Sequence, residues 1–118
     1  MQYMLLLYSQ EAGWARLSHA EQKEWMGAYA AFTDALTAAD ALRGSSHLAS
    51  STIATTVQVQ EGKTQVLDGP YADTREQLAG YFLIEADDLD AALQWAERCP
   101  GARHGFVEIR PLGQPPAP

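Results

Sequence analysis

Short apolar runs stand at both ends of the chain, and longer stripes of helical spacing lie between them, so the elements can be read from that contrast. Gln2 to Tyr8 is apolar and aromatic after its first residue and runs into Ser9-Gln10-Glu11-Ala12-Gly13. It is short enough to predict a buried strand rather than a helix. Ser18-His19-Ala20-Glu21 matches a capping box, in which the Ser hydroxyl accepts from an early helical N–H and the Glu reaches back to the cap amide. A helix starts there. Trp25, Tyr29, Phe32 and Leu36 recur at steps of four, three and four with Ala28 and Ala35 beside them, giving one stripe that packs on a sheet.

After that helix, residues 42–52 form a small, Ser-rich connection with room for one short strand. Ile53 to Gln60 and Lys63 to Leu67 are rich in strand-forming residues and are separated by Glu61-Gly62, which signals a hairpin. Val57 and Val59 alternate with Gln58 and Gln60, so one hairpin face is expected in the core and the other toward water or a cavity. Gly80 to Ala86 is a further strand, with Phe82 and Ile84 on one face and Tyr81, Leu83 and Glu85 on the other. Asp87 or Asp88 caps a second helix whose buried stripe reads Leu89, Ala92, Leu93 and Ala96, and Pro100-Gly101 stops it. Phe106 to Arg110 is the last strand, with Val107 and Ile109 alternating against Phe106, Glu108 and Arg110. A proline-rich, frayed tail over 113–118 follows a single domain over 1–112.

The order strand, long helix, hairpin strands, strand, helix, strand contains two strand-helix-strand units, the outline of a ferredoxin-like α+β fold. Both helices then cover one face of an antiparallel sheet, with Trp25, Phe32, Leu36, Leu89 and Leu93 as the helix-to-sheet core. The other face needs a partner or stays wet. No third helix is left to cover it, and a homodimer is expected.

Composition narrows the function. The chain has 118 residues, 47% of them hydrophobic and 19% charged, enough to bury one core and too few charges for a disordered chain. Asp and Glu outnumber Lys and Arg by 15 to 8, for a formal charge of −7, and no basic cluster occurs. Nucleic acid and anionic membrane are therefore poor partners. The one cysteine, Cys99, excludes an internal disulfide and a multi-thiolate zinc site; it reads as a buried structural thiol in a reducing compartment. The opening apolar run lacks a basic flank and is too short for a signal peptide or membrane span, so the cytoplasm is the expected location.

The densest chemical signal is Asp68-Gly69-Pro70-Tyr71-Ala72-Asp73-Thr74-Arg75-Glu76, a charged turn delivered into an apolar strand. Pro70 fixes φ and lacks an N–H, Gly69 reaches positive φ, and the stiff turn presents Asp68 and Tyr71 at set positions. Asp68 serves equally well as a base, as a group that orients a histidine, or as a turn cap. Tyr71 and Thr74 are placed to bond a ligand, and Arg75 and Glu76 read as a solvated turn of helix. Alternation puts Tyr81, Glu85, Glu108 and Arg110 on the sheet face away from the helices. There Arg110 either grips a small anionic or polar ligand or joins an interfacial ion-pair network. His104, between Arg103 and Gly105, is the candidate general acid or base, because its ordinary pKa is near 6.5. His47 stands at the start of a possible strand and is positioned for the same cleft; His19 belongs to the helix surface. The three histidines have no metal-ligand spacing, and no phosphate loop or nucleophile elbow is present, so neither a metal nor a cofactor is expected.

The Asp68-Gly69-Pro70-Tyr71 turn, the strand Gly80-Tyr81-Phe82-Leu83-Ile84 and the segment Cys99-Pro100-Gly101-Ala102-Arg103-His104-Gly105 resemble the DGPF branch of the YCII-related family, with Tyr71 in place of the usual Phe. The likeness extends from Tyr3-Met4-Leu5-Leu6 through Asp87-Asp88-Leu89-Asp90-Ala91-Ala92 to Val107-Glu108-Ile109-Arg110-Pro111. It implies the dimeric α/β-barrel arrangement, two sheets facing across a two-fold axis. The YciI-like members of that family have a proposed Asp-His site with the histidine on the first helix, where an overlay by distance to the helix end puts Tyr29 in this chain. Catalysis here then calls for a different pair, Asp68 with His104. Two functions remain: a small-molecule enzyme using acid-base chemistry in a dimer cleft, and a non-catalytic ligand-binding or interaction module. The second includes a regulatory role linked to an extracytoplasmic-function sigma factor, since proteins of this type resemble partners found near or fused to such factors.

Overall fold

The computed structural model describes residues 1–114, so residues 115–118 of the tail expected over 113–118 lie outside the described residues. In chain order the elements are β1 (Gln2–Ser9), α1 (Glu11–Arg16), α2 (His19–Ala38), β2 (Leu42–His47), a short 3₁₀ turn (Ser51–Ile53), β3 (Thr55–Gln60), β4 (Lys63–Asp68), β5 (Gln77–Glu85), α3 (Leu89–Arg98), α4 (Gly101–His104) and β6 (Phe106–Pro111). Four strands form one sheet in the order β2-β5-β1-β6. Every pairing in it is antiparallel. With α2 and α3 as the two crossovers, this is the ferredoxin-like α+β fold.

The helix starts follow the sequence. The Ser18 hydroxyl accepts from the Glu21 N–H while the Glu21 carboxylate accepts from the Ser18 N–H, both at 3.1 Å, which satisfies two early amides of α2. Asp88 caps α3 by accepting from the Ala91 N–H at 2.9 Å. The sheet contributes Tyr3, Leu5, Leu7, Phe82 and Ile84 to the core, and the helices contribute Phe32, Leu36, Ala92, Ala96 and, just past α3, Cys99. Phe32 meets Phe82 edge-on at 5.0 Å between ring centroids and Trp95 at 6.2 Å. This aromatic cluster joins both helices to the central strands.

Several expectations are corrected. Residues 42–47 are a strand of the main sheet, paired with β5 over Leu42↔Ile84 to His47↔Gly80, whereas the hairpin β3-β4 forms a separate two-stranded sheet. Val57 and Val59 are therefore not in the core; they are 63% and 65% exposed. On α3 the inward face is Ala92, Ala96 and the flanking Trp95, and Leu89 and Leu93 are exposed. The physical reason is size: Ala92 and Ala96 let the helix axis approach the sheet, and Trp95 then fills the flank toward Phe32 that Leu93 would have needed. Trp25 is only half-buried, at the margin of the core. Glu11 to Arg16 forms a short helix that the sequence did not announce, Gly101 to His104 forms a helical turn beyond the Pro100 stop, and Arg75 and Glu76 are not helical.

Phe32→Ala is expected to cost about 3–5 kcal/mol in chemical denaturation, the usual range for deleting a buried ring. Leu93→Ala should change stability by less than about 1 kcal/mol, because its side chain is largely in water. The reverse ranking would place α3 in the other rotation.

Candidate functional site

His104 ends the turn α4, and that turn is tied down at each end. Gly101 is buried so closely that a side-chain carbon there would meet Leu7 Cδ2 and the Tyr29 hydroxyl at 3.2 Å. At Gly105 a side-chain carbon would fall 2.1 Å from the Tyr8 carbonyl oxygen, so only glycine lets the chain enter β6 beside β1. Arg103 donates from Nη1 to the Glu97 carbonyl at 2.8 Å, bracing the turn against the end of α3. The result is a fixed imidazole over α2. His104 Nε2 lies 2.8 Å from the Tyr29 hydroxyl, and the ring meets the Trp25 ring edge-on at 4.7 Å.

Burial sets the protonation of this cluster. His104 is itself largely exposed, and the partial desolvation of its ring against α2 pushes its pKa below its ordinary value, with a hydrogen bond to the residue's own backbone opposing, so the ring is neutral at pH 7. Burial, then the neighbouring Cys99, raises the Tyr29 phenol far above its ordinary value. Burial also raises the Cys99 thiol, against the opposing pull of the Gly101 amide and Arg103. Three proton-bearing groups thus stand together without charge. Beside Trp25 a groove of about 340 Å³ runs between α2 and the α3-α4 junction, and Arg98 and Arg103 line it.

The opposite sheet face carries the second set of expected residues. Cross-strand register places Tyr81, Leu6 and Glu108 in one row, Leu83, Met4 and Arg110 in the next, and Glu85 opposite Gln2. The Tyr8 hydroxyl donates to Glu108 at 3.3 Å, and burial followed by the Glu108 charge raises the Tyr8 pKa. Glu85 is engaged by the Met1 amino group at 2.5 Å, an ion pair that lowers its carboxyl pKa. Arg110 has no ion-pair partner among the described residues.

At the Tyr8 end of β1 a cleft of about 770 Å³ opens, walled by Tyr8, Leu48, Ile53, Pro70, Tyr71 and Leu78. Its wall is anchored by Glu11, whose carboxylate accepts from the Ser51 N–H at 2.7 Å and from the Ser51 and Ser50 hydroxyls at 3.0 and 3.3 Å. Those bonds hold the Glu11 carboxyl below the usual range. Tyr71 stands in this cleft and is 91% exposed. Thr74 is committed to the loop itself, donating to the Glu76 carbonyl.

Within one chain the expected residues are therefore divided. Tyr81, Glu85 and Arg110 share the open face as alternation required, Tyr71 belongs to the cleft, and His47 is exposed at the end of β2. Asp68 ends β4 opposite Thr55, exposed and without a side-chain hydrogen bond among the described residues, while Gly69 beside it takes φ +108°. His104 bonds Tyr29 on the helix side, so a single chain does not join Asp68 to His104. Tyr29, Tyr8 and Glu11 were missed as site residues. Tyr29 stands at the family's histidine position by overlay, but its spacing marks it only as part of the helical stripe, and the turn that brings His104 to it was hidden because Pro100-Gly101 reads as a stop, although proline also suits a helix start. No group of three or more His, Cys, Asp or Glu side chains able to hold a metal ion occurs among the described residues, and no described helix is long and apolar enough to cross a membrane.

A model of the YCII-related domain matches residues 1–114. The chain belongs to the YCII-related family. A relative, an uncharacterised protein of Rhizobium meliloti (strain 1021), is 35% identical over 114 residues, covering 95% of this chain and 92% of its own. Among solved structures the chain is similar to the 5-chloro-2-hydroxyhydroquinone dehydrochlorinase of Burkholderia phenoliruptrix in complex with 2,5-dihydroxybenzoquinone. That likeness has a TM-score of 0.56 at 11% identity and covers 98% of this chain and 96% of the other, which establishes a shared fold. In this YCII-related chain the Tyr29–His104 pair joins the first long helix to the turn before the last strand.

The depressed His104 pKa has a definite sign in stability. The unfolded chain titrates near the ordinary value of about 6.5, above the folded chain, so it binds more protons in between. Stability from the neutral ring is complete above that value and is lost as pH falls through the folded-state pKa. Between about pH 8 and pH 5 the wild type should lose more unfolding free energy in urea titrations than His104→Gln. Equal losses would mean that the ring is not desolvated.

Proposed function

We propose that this YCII-related protein is a small-molecule enzyme in which Tyr29 and His104 carry out acid-base chemistry. The observation that supports it is the 2.8 Å contact between a half-buried phenol and a solvent-reachable imidazole, both uncharged at neutral pH. A neutral imidazole next to a proton donor is a competent base. Tyr29 hands its proton to His104 Nε2 and takes one from the ligand, so the phenol is restored and the positive charge ends on the imidazolium. The raised Tyr29 pKa disfavours a free phenolate, so the two proton transfers of the relay run together.

The ligand class is a small, planar, hydroxylated ring bearing partial or full negative charge. Trp25 offers an aromatic surface in the adjoining groove and Arg98 and Arg103 offer cations. The fold neighbour's bound 2,5-dihydroxybenzoquinone has that character and lends support at the level of fold. The subunits pair through the open sheet face, where Met4, Leu6, Leu83 and Phe106 have no covering helix, and Tyr81, Glu85 and Arg110 become polar groups of the dimer cleft.

Isotope-labelled imidazole spectra recorded with 2,5-dihydroxybenzoquinone should show a ligand-dependent shift at His104 that saturates at micromolar to millimolar ligand. Chloride release from a chlorinated hydroxyhydroquinone should fall about 10²–10⁴-fold in His104→Gln and in Tyr29→Phe. Binding without turnover in the wild type would replace the enzyme with a binding module, and no shift at all would remove the ligand class. Sedimentation at micromolar concentration should show one species of twice the chain mass, and a clean monomer would remove the paired-sheet assembly.

A further inference from the structure

The hairpin β3-β4 is the least supported part of the molecule. It pairs with no other strand, and all of its residues are exposed except Thr56, which is half-buried. An isolated two-stranded hairpin is at best marginal in water. Its exposed side chains are nevertheless apolar where strands usually meet a core. Val57 pairs directly with Val66, at 63% and 62% exposure, and the same face carries Val59 and, opposite Thr55, Asp68. The radius of gyration is 16.6 Å, against about 13 Å for a compact chain of this length, so the hairpin stands out from the body as an arm.

We propose that this arm is received by a second copy of the chain, its Val57–Val66 face closing on the partner's open sheet face at the Phe106 end and bringing Asp68 to Arg110 of the partner subunit. The inference rests on the dimer reading above and adds to it. One chain presents two unpartnered apolar surfaces, the arm and the open face, and a two-fold axis satisfies both at once, because each arm meets the other chain's face. Charge selects the same occupant. Asp68 is the only ionisable residue on the arm's apolar face, Arg110 is the cation of β6 on the open face, and neither has an ion-pair partner among the described residues. Length agrees as well, since strands of six residues span about 20 Å, enough to cross most of a four-stranded sheet. Arg110, beside Tyr81 and Glu108, then draws its ion-pair partner from the other chain.

Sedimentation equilibrium on the full chain tests this with variants whose altered side chains lie in water in the single chain, so the body should keep its circular dichroism. The double variant Val57→Asp/Val66→Asp should dissociate at least about 100-fold more readily than the wild type. Asp68→Arg and Arg110→Asp should each weaken the dimer about 10-fold or more, and Asp68→Arg/Arg110→Asp should restore it. A wild-type monomer would overturn the dimer reading and the arm with it. A wild-type dimer whose dissociation is unchanged by the two aspartates would overturn the arm alone, and a failure of the charge reversal to restore binding would overturn the Asp68–Arg110 contact.

Discussion

A four-stranded sheet has two faces, and this chain has helices for only one of them. The rest of the molecule follows from that imbalance. On the covered face, α2 and α3 are drawn in by small residues and locked by the Phe32–Phe82–Trp95 cluster, and the core closes around Leu5, Leu36, Ile84 and Cys99, none of which reaches solvent. On the other face, Met4, Leu6 and Leu83 are half-buried and Phe106 is 64% exposed, with Tyr81, Glu108 and Arg110 beside them and no helix laid over them. The hairpin repeats the problem on a smaller scale.

The same division separates the two chemistries. Tyr29, Cys99 and His104 lie where helix meets sheet, and desolvation moves every one of them toward its uncharged form. Glu85, Glu108 and Arg110 lie on the open side, where ionised groups are tolerated because water or another subunit can meet them. A proton relay belongs to the first environment and recognition of a charged group to the second. Tyr8 stands between them: its carbonyl oxygen supports Gly105 and its hydroxyl reaches Glu108.

Elements with strong local signals were legible in the sequence. The capping box at Ser18, the Asp88 cap, the short apolar run of β1, the alternation in β5 and β6 and the Glu61-Gly62 hairpin turn each depend on neighbours close in the chain, and the fold class followed from their order. What was not legible depended on distant contacts. Leu93 and Trp95 both fit a helical stripe, and only the sheet's contour decides that Trp95 turns inward. Val57 and Val59 have the alternation of a core strand, yet alternation reports that a face is apolar and not what covers it. The candidate site depends on distant contacts too: His104 was recognisable by its chemistry and Tyr29 by the family overlay, but the contact between them spans 75 residues, and no spacing rule reaches that far.

The pairing of β1 bears on how the chain comes to be folded at all. This first strand is an inner strand of the sheet, registered on one side with Gln77 to Glu85 and on the other with Phe106 to Pro111. Its neighbours are thus the last strands to be made, and the contacts that satisfy Leu5 and Leu7 span most of the chain. Topologies of this kind fold slowly because distant loop closures must precede any gain. During synthesis the run Met4-Leu5-Leu6-Leu7 is made well before either strand it pairs with, and it stays an apolar strand with both edges open until they follow.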